Sequence, residues 1–228
     1  MKTFLALLAI TAVSVGLIAV ALLGDRPGGQ QPPDATGVTL PPQVPADLAG
    51  LVISEPSYSG NYDRDAFGQA WSDDVSVAGG HNGCDTRNDI LRRDLVNPKI
   101  RPGTYDCLVE SGELVDPYTG QHMQFFRGDR QVEIDHIVAL ADAWRSGAST
   151  WSPERRRDFA NDPRNLLATG AQINQDKGAD SASEWLPPAT DYRCDYVRAR
   201  VDVKRAYGLS VSQAEYDVSA AVLAACDD

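Results

Sequence analysis

Four widely spaced cysteines, Cys84, Cys107, Cys194 and Cys226, set the strongest limit on what this chain can fold into. No two of them stand in C-x-x-C spacing, which argues against a zinc cluster. An even number of cysteines in a chain that leaves the reducing cytoplasm points to disulfides instead, and export is what the N-terminus suggests. Lys2 precedes an apolar run, Phe4 to Leu23, broken only by Thr, Ser and Gly. The run reads either as the core of a signal peptide, with Ala19-Val20-Ala21 as a small-x-small cleavage site, or as an uncleaved membrane anchor. A buried globular helix is the third option. The first two options make the rest of the chain secreted or extracytoplasmic, attached to the membrane if the segment is retained. Residues 24–50 are rich in Gly, Pro and Gln without apolar periodicity, as expected of a solvated linker. The expected organisation is a signal peptide or anchor over 1–23, a linker over 24–50 and a folded domain over 51–228.

Four cysteines allow three pairings. The local ones, Cys84–Cys107 and Cys194–Cys226, are the expectation. Each closes a loop of roughly 25–35 residues, worth about 3 kcal/mol in the chain-entropy model.

The formal net charge of −11 argues against a protein that holds nucleic acid by charge alone, since phosphate contacts supply most non-specific affinity. It leaves room for an acidic site that meets phosphate through a metal ion. The best basic patches are Arg155-Arg156-Arg157 and the row Arg193, Arg198, Arg200, Lys204 and Arg205. Acidic residues are interleaved with both, so each reads as a solvated helix face.

The folded part alternates short strands and helices, an α+β pattern. A helix is expected from Cys84 to Leu95, capped by Asp85, and a strand from Tyr105 to Val109. Turn chemistry follows from Leu114 to Gly120, then a strand from Met123 to Phe126. Val132-Glu133-Ile134-Asp135 alternates apolar and acidic residues like a half-buried strand. Helices are expected over 138–146, 152–161, 170–177, 191–207 and 212–226, with a strand over 165–168. Ser152 with Pro153, and Ser212 with Glu215 in capping-box spacing, mark two of the helix starts.

Asp135-His136 sits at a strand-to-loop boundary and is the richest point for chemistry. Asn165, Asn174 and Lys177 follow it. An isolated Asp-His pair is more often a satisfied structural pair than a site. Asn165 could equally cap a turn, Asn174 likewise, and Lys177 could simply end a helix before Gly178. His81 and His122 read as loop residues. Arg87 and Asp89, close to Cys84, read as a structural pair or, for Arg87, a phosphate contact.

Together, Asp135-His136, Asn165, Asn174 and Lys177 resemble the pattern of HNH nucleases, in the variant with Asn in place of the last His. The RNA-guided nucleases and the C-terminal domain of GmrSD-type restriction enzymes carry that variant. The flanking blocks Gly83 to Leu91, Asp116-Pro117-Tyr118-Thr119-Gly120, Ala160 to Leu166 and Trp185-Leu186-Pro187-Pro188 are similar to exported actinobacterial-type HNH endonucleases. The resemblance covers about residues 57–228. It implies a ββα-metal (His-Me finger) core with flanking helices. His136 is implied as general base, with Asn165 orienting its loop. Asp135 and Asn174 are implied as metal ligands. The Asn at the last position favours Mg²⁺ or Mn²⁺ over zinc. Lys177 is a candidate phosphate contact, and Glu133, on Asp135's side of the strand, a further ligand or a solvated charge. The implied activity is endonucleolytic hydrolysis of phosphodiesters, most simply in DNA. Two alternatives stay open: an envelope-associated binding protein that keeps the frame without activity, and a secreted antibacterial effector. No protein partner is inferred.

Overall fold

The computed structural model describes residues 48–57 and 61–226, so residues 1–47, with the apolar run, lie outside the described residues. Leu48 is buried in a core cluster with Tyr118, Tyr196 and Val197.

The described elements form a mixed α+β fold. In chain order they are β1 (Val52–Ile53), α1 (Thr86–Asp94), β2 (Val96–Ile100), β3 (Val109–Val115), β4 (His122–Phe126), β5 (Val132–His136), α2 (Leu140–Arg145), α3 (Pro153–Ala160), β6 (Leu166–Gly170), α4 (Ala171–Lys177), α5 (Arg193–Tyr207), β7 (Ser210–Val211) and α6 (Gln213–Ala224). β1 pairs in parallel with β7, β2-β3-β4 form an antiparallel sheet, and β5 pairs antiparallel with β6. Among the described residues no helix is long and apolar enough to cross a membrane.

Local chemistry sets most helix starts. The Asp85 carboxylate accepts from the backbone N–H of Asn88, Ser152 accepts from that of Arg155, and Ser212 from that of Glu215. At the far end of α5, Gly208 takes the left-handed conformation (φ 64°) that stops the helix. The Ser212–Glu215 capping box is only half made, because the Glu215 side chain turns inward to Arg200 and Lys204. The strand expected over Tyr105–Val109 begins only at Val109. Tyr105 and Asp106 have φ values of 52° and 59°, and the Cys107 N–H closes a turn on the Thr104 carbonyl. β2 has no counterpart among the expected strands, and Pro98 lies within it. It is tolerated there because β2 is an edge strand with shifted register.

Both expected disulfides form. Cys84–Cys107 spans a sequence separation of 23 and Cys194–Cys226 one of 32, with Cα–Cα distances of 5.2 and 5.9 Å. The first joins the segment before α1 to the segment before β3; the second ties α5 to the chain just beyond α6.

β5 and β6 lie at the centre. Val132 and Ile134 pack with α1 and with Leu114 and Phe125 of the three-stranded sheet. On the opposite face of the hairpin, Leu167 joins Tyr118, Tyr196 and Val197. β5 is therefore covered on both faces rather than half-buried as expected, and its acidic residue Asp135 is 5% exposed. The basic row on α5 is corrected in the same way. Arg200 and Lys204 are buried, not solvated. Arg200 binds Asp142 at 2.8 Å and Glu215 at 2.7 Å, and Lys204 binds Glu215 at 2.7 Å. Two cations and two carboxylates neutralise one another, as burial of charge requires. Burial raises the Asp142 carboxyl, but Lys204 and Arg200 outweigh it and hold the group below its ordinary value. The arginines of α3 are also structural. Arg155 donates to the Tyr207 carbonyl, Arg156 to the carbonyls of Trp151 and Ala66, and Arg157 pairs with Asp74.

Candidate active site

Neighbouring strand residues face opposite ways, so β5 divides its chemistry between two environments. Asp135 shares a face with Glu133 and Leu167; His136 shares one with Ile134 and Leu166.

On Asp135's face, α4 crosses the hairpin. Lys177, the last residue of α4, is fully buried. Its Nζ donates to Asp135 Oδ1 at 3.0 Å and to the backbone carbonyl of His136 at 2.9 Å, and it lies 2.9 Å from Asp135 Oδ2. The Tyr118 hydroxyl donates to Asp135 Oδ2 at 2.6 Å. Tyr118 is held by the Asp116 turn, whose carboxylate accepts from the N–H of Tyr118 and the hydroxyls of Thr119 and Thr169. Burial pushes the Asp135 carboxyl above the usual carboxylate range against the pull of Lys177 and Tyr118, and the same burial lowers Lys177. One turn earlier on α4, the Asn174 side-chain N–H donates to Glu133 Oε2 at 2.8 Å. Arg87 reaches the far end of β5, donating to the Val132 carbonyl at 3.3 Å within the field of Glu133.

On the other face, His136 is buried. Its Nε2 lies 2.9 Å from the Ala160 carbonyl. A carbonyl only accepts, so Nε2 carries the proton and Nδ1 keeps its lone pair when the ring is neutral. The ring stays neutral: burial lowers its pKa to about 3, against the Ala160 carbonyl, with the Arg64 and Lys177 cations adding to the drop. Trp71 stacks on the imidazole at 5.9 Å between centroids and 12° between planes. Trp71 has a φ of 60°, unusual for a bulky residue and a strain of about 1–3 kcal/mol. Thr86 holds it there, its N–H on the Trp71 carbonyl and its hydroxyl on that of Ser72. His136 and Trp71 wall a cavity of about 100 Å³ together with Arg64, Phe67, Leu140 and Asn161.

Asn165 fixes the loop after His136. Its side-chain oxygen accepts from the Val138 N–H at 2.8 Å, its N–H₂ donates to the Val138 carbonyl at 3.2 Å, and its backbone carbonyl accepts from Ile137 at 2.8 Å. This amide clamp in a fully buried side chain sets where β5 ends.

The structure thus joins Asp135 with Lys177 and Glu133 with Asn174, and sets Asn165 behind His136. It places no direct contact between His136 and Asn174 among the described residues. Lys177 faces Asp135 from full burial instead of being presented to solvent, and Arg87 lies at the opposite end of β5 from His136. His122 starts β4 and binds Glu113 at 2.6 Å, so it is a strand residue rather than a loop residue. Tyr118, Trp71, Arg64 and Asn161 were not picked out as site residues from sequence. Tyr118 sat in a recognised turn block, but nothing in a turn tells which distant carboxylate it meets.

The donors fit a hard divalent cation in part. One oxygen of Glu133 and the side-chain oxygen of Asn174 have no partner among the described residues, and both side chains are half-buried. These suit an oxygen-preferring ion that keeps its own waters. Asp135 fits less well, because an ammonium and a phenol already engage both its oxygens. Among the described residues no group of three or more His, Cys, Asp or Glu side chains could hold an ion.

A clamped histidine at the end of β5, with β6 and α4 packed beside it, is the centre of the candidate site, and comparison gives the chain a family. Residues 85–220 match the family model of the C-terminal domain of GmrSD restriction endonucleases, and the chain belongs to this HNH-type nuclease family. It is also 34% identical over 197 residues to an uncharacterized secreted protein of Arthroderma benhamiae, covering 83% of this chain and 90% of that one. The secreted relative and the two disulfides support an extracellular location. No solved structure matches.

Proposed function

We propose that the chain is an exported, divalent-metal-dependent HNH endonuclease that hydrolyses phosphodiester bonds in DNA, built on a ββα-metal core of β5, β6 and α4. The observation that carries this reading is His136: held through Nε2 by the Ala160 carbonyl, which leaves Nδ1 as the free acceptor, and set in the wall of a cavity. A neutral imidazole with one nitrogen fixed as donor is a general base at the other. Asn165 keeps that base in place by clamping Val138. Glu133 and Asn174 are the residues that would hold Mg²⁺ or Mn²⁺, with Asp135 joining them only if Lys177 gives way. An ion held there, on the α4 side of β5, would supply Lewis-acid chemistry. The tether and N-terminal segment deliver the domain outside the cytoplasm.

A nicking assay on supercoiled plasmid with Mg²⁺ or Mn²⁺ tests the proposal. Cleavage by the oxidised full-length protein that disappears with a chelator and in His136→Ala is the expected result. A wild-type protein that cleaves neither DNA nor RNA with any divalent metal would sink it. One observation favours a second reading, a family member that keeps the frame without activity: Lys177 occupies the Asp135 carboxylate. The same assay separates the two.

A further inference from the structure

The cavity beside His136 contains two features that the reading above does not use. Asn161 is 1% exposed, and its side-chain N–H₂ donates to the Arg157 carbonyl at 2.9 Å. That bond fixes which way the amide points, and its oxygen has no partner among the described residues. A buried acceptor left without a donor is unfavourable unless a water or ligand fills it. The residue forms part of the same wall as His136. Its backbone neighbour Ala160 holds the imidazole, so the two groups are set by one stretch of chain at the end of α3. Arg64, on the short 3-10 turn Arg64–Phe67, is exposed and has no hydrogen bond or ion pair with any described residue. A cavity of about 100 Å³ holds a few waters, or one water and a phosphoryl oxygen.

We propose that this cavity is the hydrolytic-water and phosphate subsite: the Asn161 side-chain oxygen and His136 Nδ1 hold the attacking water between them, and Arg64 binds the scissile phosphodiester. The inference rests on the nuclease reading and adds two residues to it. A water donating one hydrogen to each of two acceptors directs its lone pair away from both, toward a phosphorus held at the mouth. As the water oxygen bonds to phosphorus, its proton passes to His136 Nδ1. The bond from phosphorus to the leaving sugar oxygen breaks with its electron pair, and that oxygen takes a proton from solvent. His136 then returns its proton to solvent. Asn161 supplies no proton, so its part is to fix the water. Arg64, which has no partner among the described residues, is spare for an anion.

The test is steady-state plasmid cleavage by full-length oxidised variants, with thermal melting as a folding control. Asn161→Ala should lower kcat about 10²-fold with KM changed less than about threefold, since misplacing a reacting group costs that much. Asn161→Asp keeps the acceptor but loses the donor to the Arg157 carbonyl. It should melt no higher than Asn161→Ala yet keep kcat within about tenfold of wild type. If Asn161 merely capped α3, Asn161→Asp would be no more active than Asn161→Ala, and that result would overturn the role of its oxygen. Arg64→Ala should raise KM about tenfold or more at an unchanged melting temperature. Active wild type with Asn161→Ala and Arg64→Ala both within about twofold of it would overturn the inference and leave the nuclease reading standing. Inactive wild type would remove both.

Discussion

Replacing Lys177 by methionine would leave the Asp135 carboxylate with only the Tyr118 hydroxyl as partner. Methionine nearly matches the lysine stem, so packing over β5 is kept and the change isolates the charge. Lys177 is fully buried and Asp135 is 5% exposed, so water cannot replace the ammonium. Removing one partner of a buried ion pair costs about 3–5 kcal/mol. In a domain of this size each kcal/mol moves the melting temperature by about 2–4 °C, giving an expected drop of about 6–20 °C near pH 7. The pH dependence has a definite sign. Burial already raises the Asp135 carboxyl, and losing Lys177 removes the strongest opposing pull. A carboxyl whose folded pKa lies above its unfolded value adds stability below the unfolded value and loses it as pH rises through the folded one. The deficit of Lys177→Met relative to wild type should therefore be smallest near about pH 4 and full near about pH 7. Asp135→Asn combined with Lys177→Met should recover most of it, because no buried charge is then left alone. Circular-dichroism melts of the three oxidised proteins across this range measure all of these effects. A Lys177→Met protein that melts within about 2 °C of wild type near neutrality, or whose deficit is flat with pH, would refute the argument.

Three further outcomes are expected. Wild-type stability should fall as pH drops from the unfolded histidine value of about 6.5 toward the folded value of about 3, because the unfolded state takes up the His136 proton first. Urea midpoints for wild type and His136→Gln should diverge across that window, with the variant the flatter. Glu215→Ala should cost about 3–5 kcal/mol in urea unfolding, since it strips a carboxylate from both Arg200 and Lys204; a loss below about 1 kcal/mol would show that the cluster is solvated in solution. Glu133→Gln with Asn174→Ala should weaken Mn²⁺ binding, read by electron paramagnetic resonance, by about tenfold or more; unchanged affinity would place the ion elsewhere.

Local chemistry was legible in the sequence. Asp85, Ser152 and Ser212 mark helix starts because a cap needs only a side chain and the N–H two or three residues on. The disulfide pairing followed from short closing loops, and Asn165 stood out beside Asp135-His136. What depends on distant partners was not legible. Arg200 and Lys204 look like solvated charges until Asp142 and Glu215 are brought against them from α2 and α6. Lys177 looks like a helix end until α4 crosses β5. Trp71 sits in a segment without a pattern and Asn161 looks like a helix end, and only the folded chain brings both to His136.

The two-sided burial of β5 makes the strand a party wall. Asp135 and His136 are neighbours in the chain but look into separate rooms, one a sealed ionic lock beneath α4, the other a cavity beside Trp71. The lock also grips the backbone carbonyl of His136, so it holds the wall from behind. Damage on the Asp135 side should therefore reach the histidine as a shift in position, not as a lost contact. Substitutions that restore such damaged variants should accordingly arise around Tyr118 and the buried end of α4, away from the cavity beside His136.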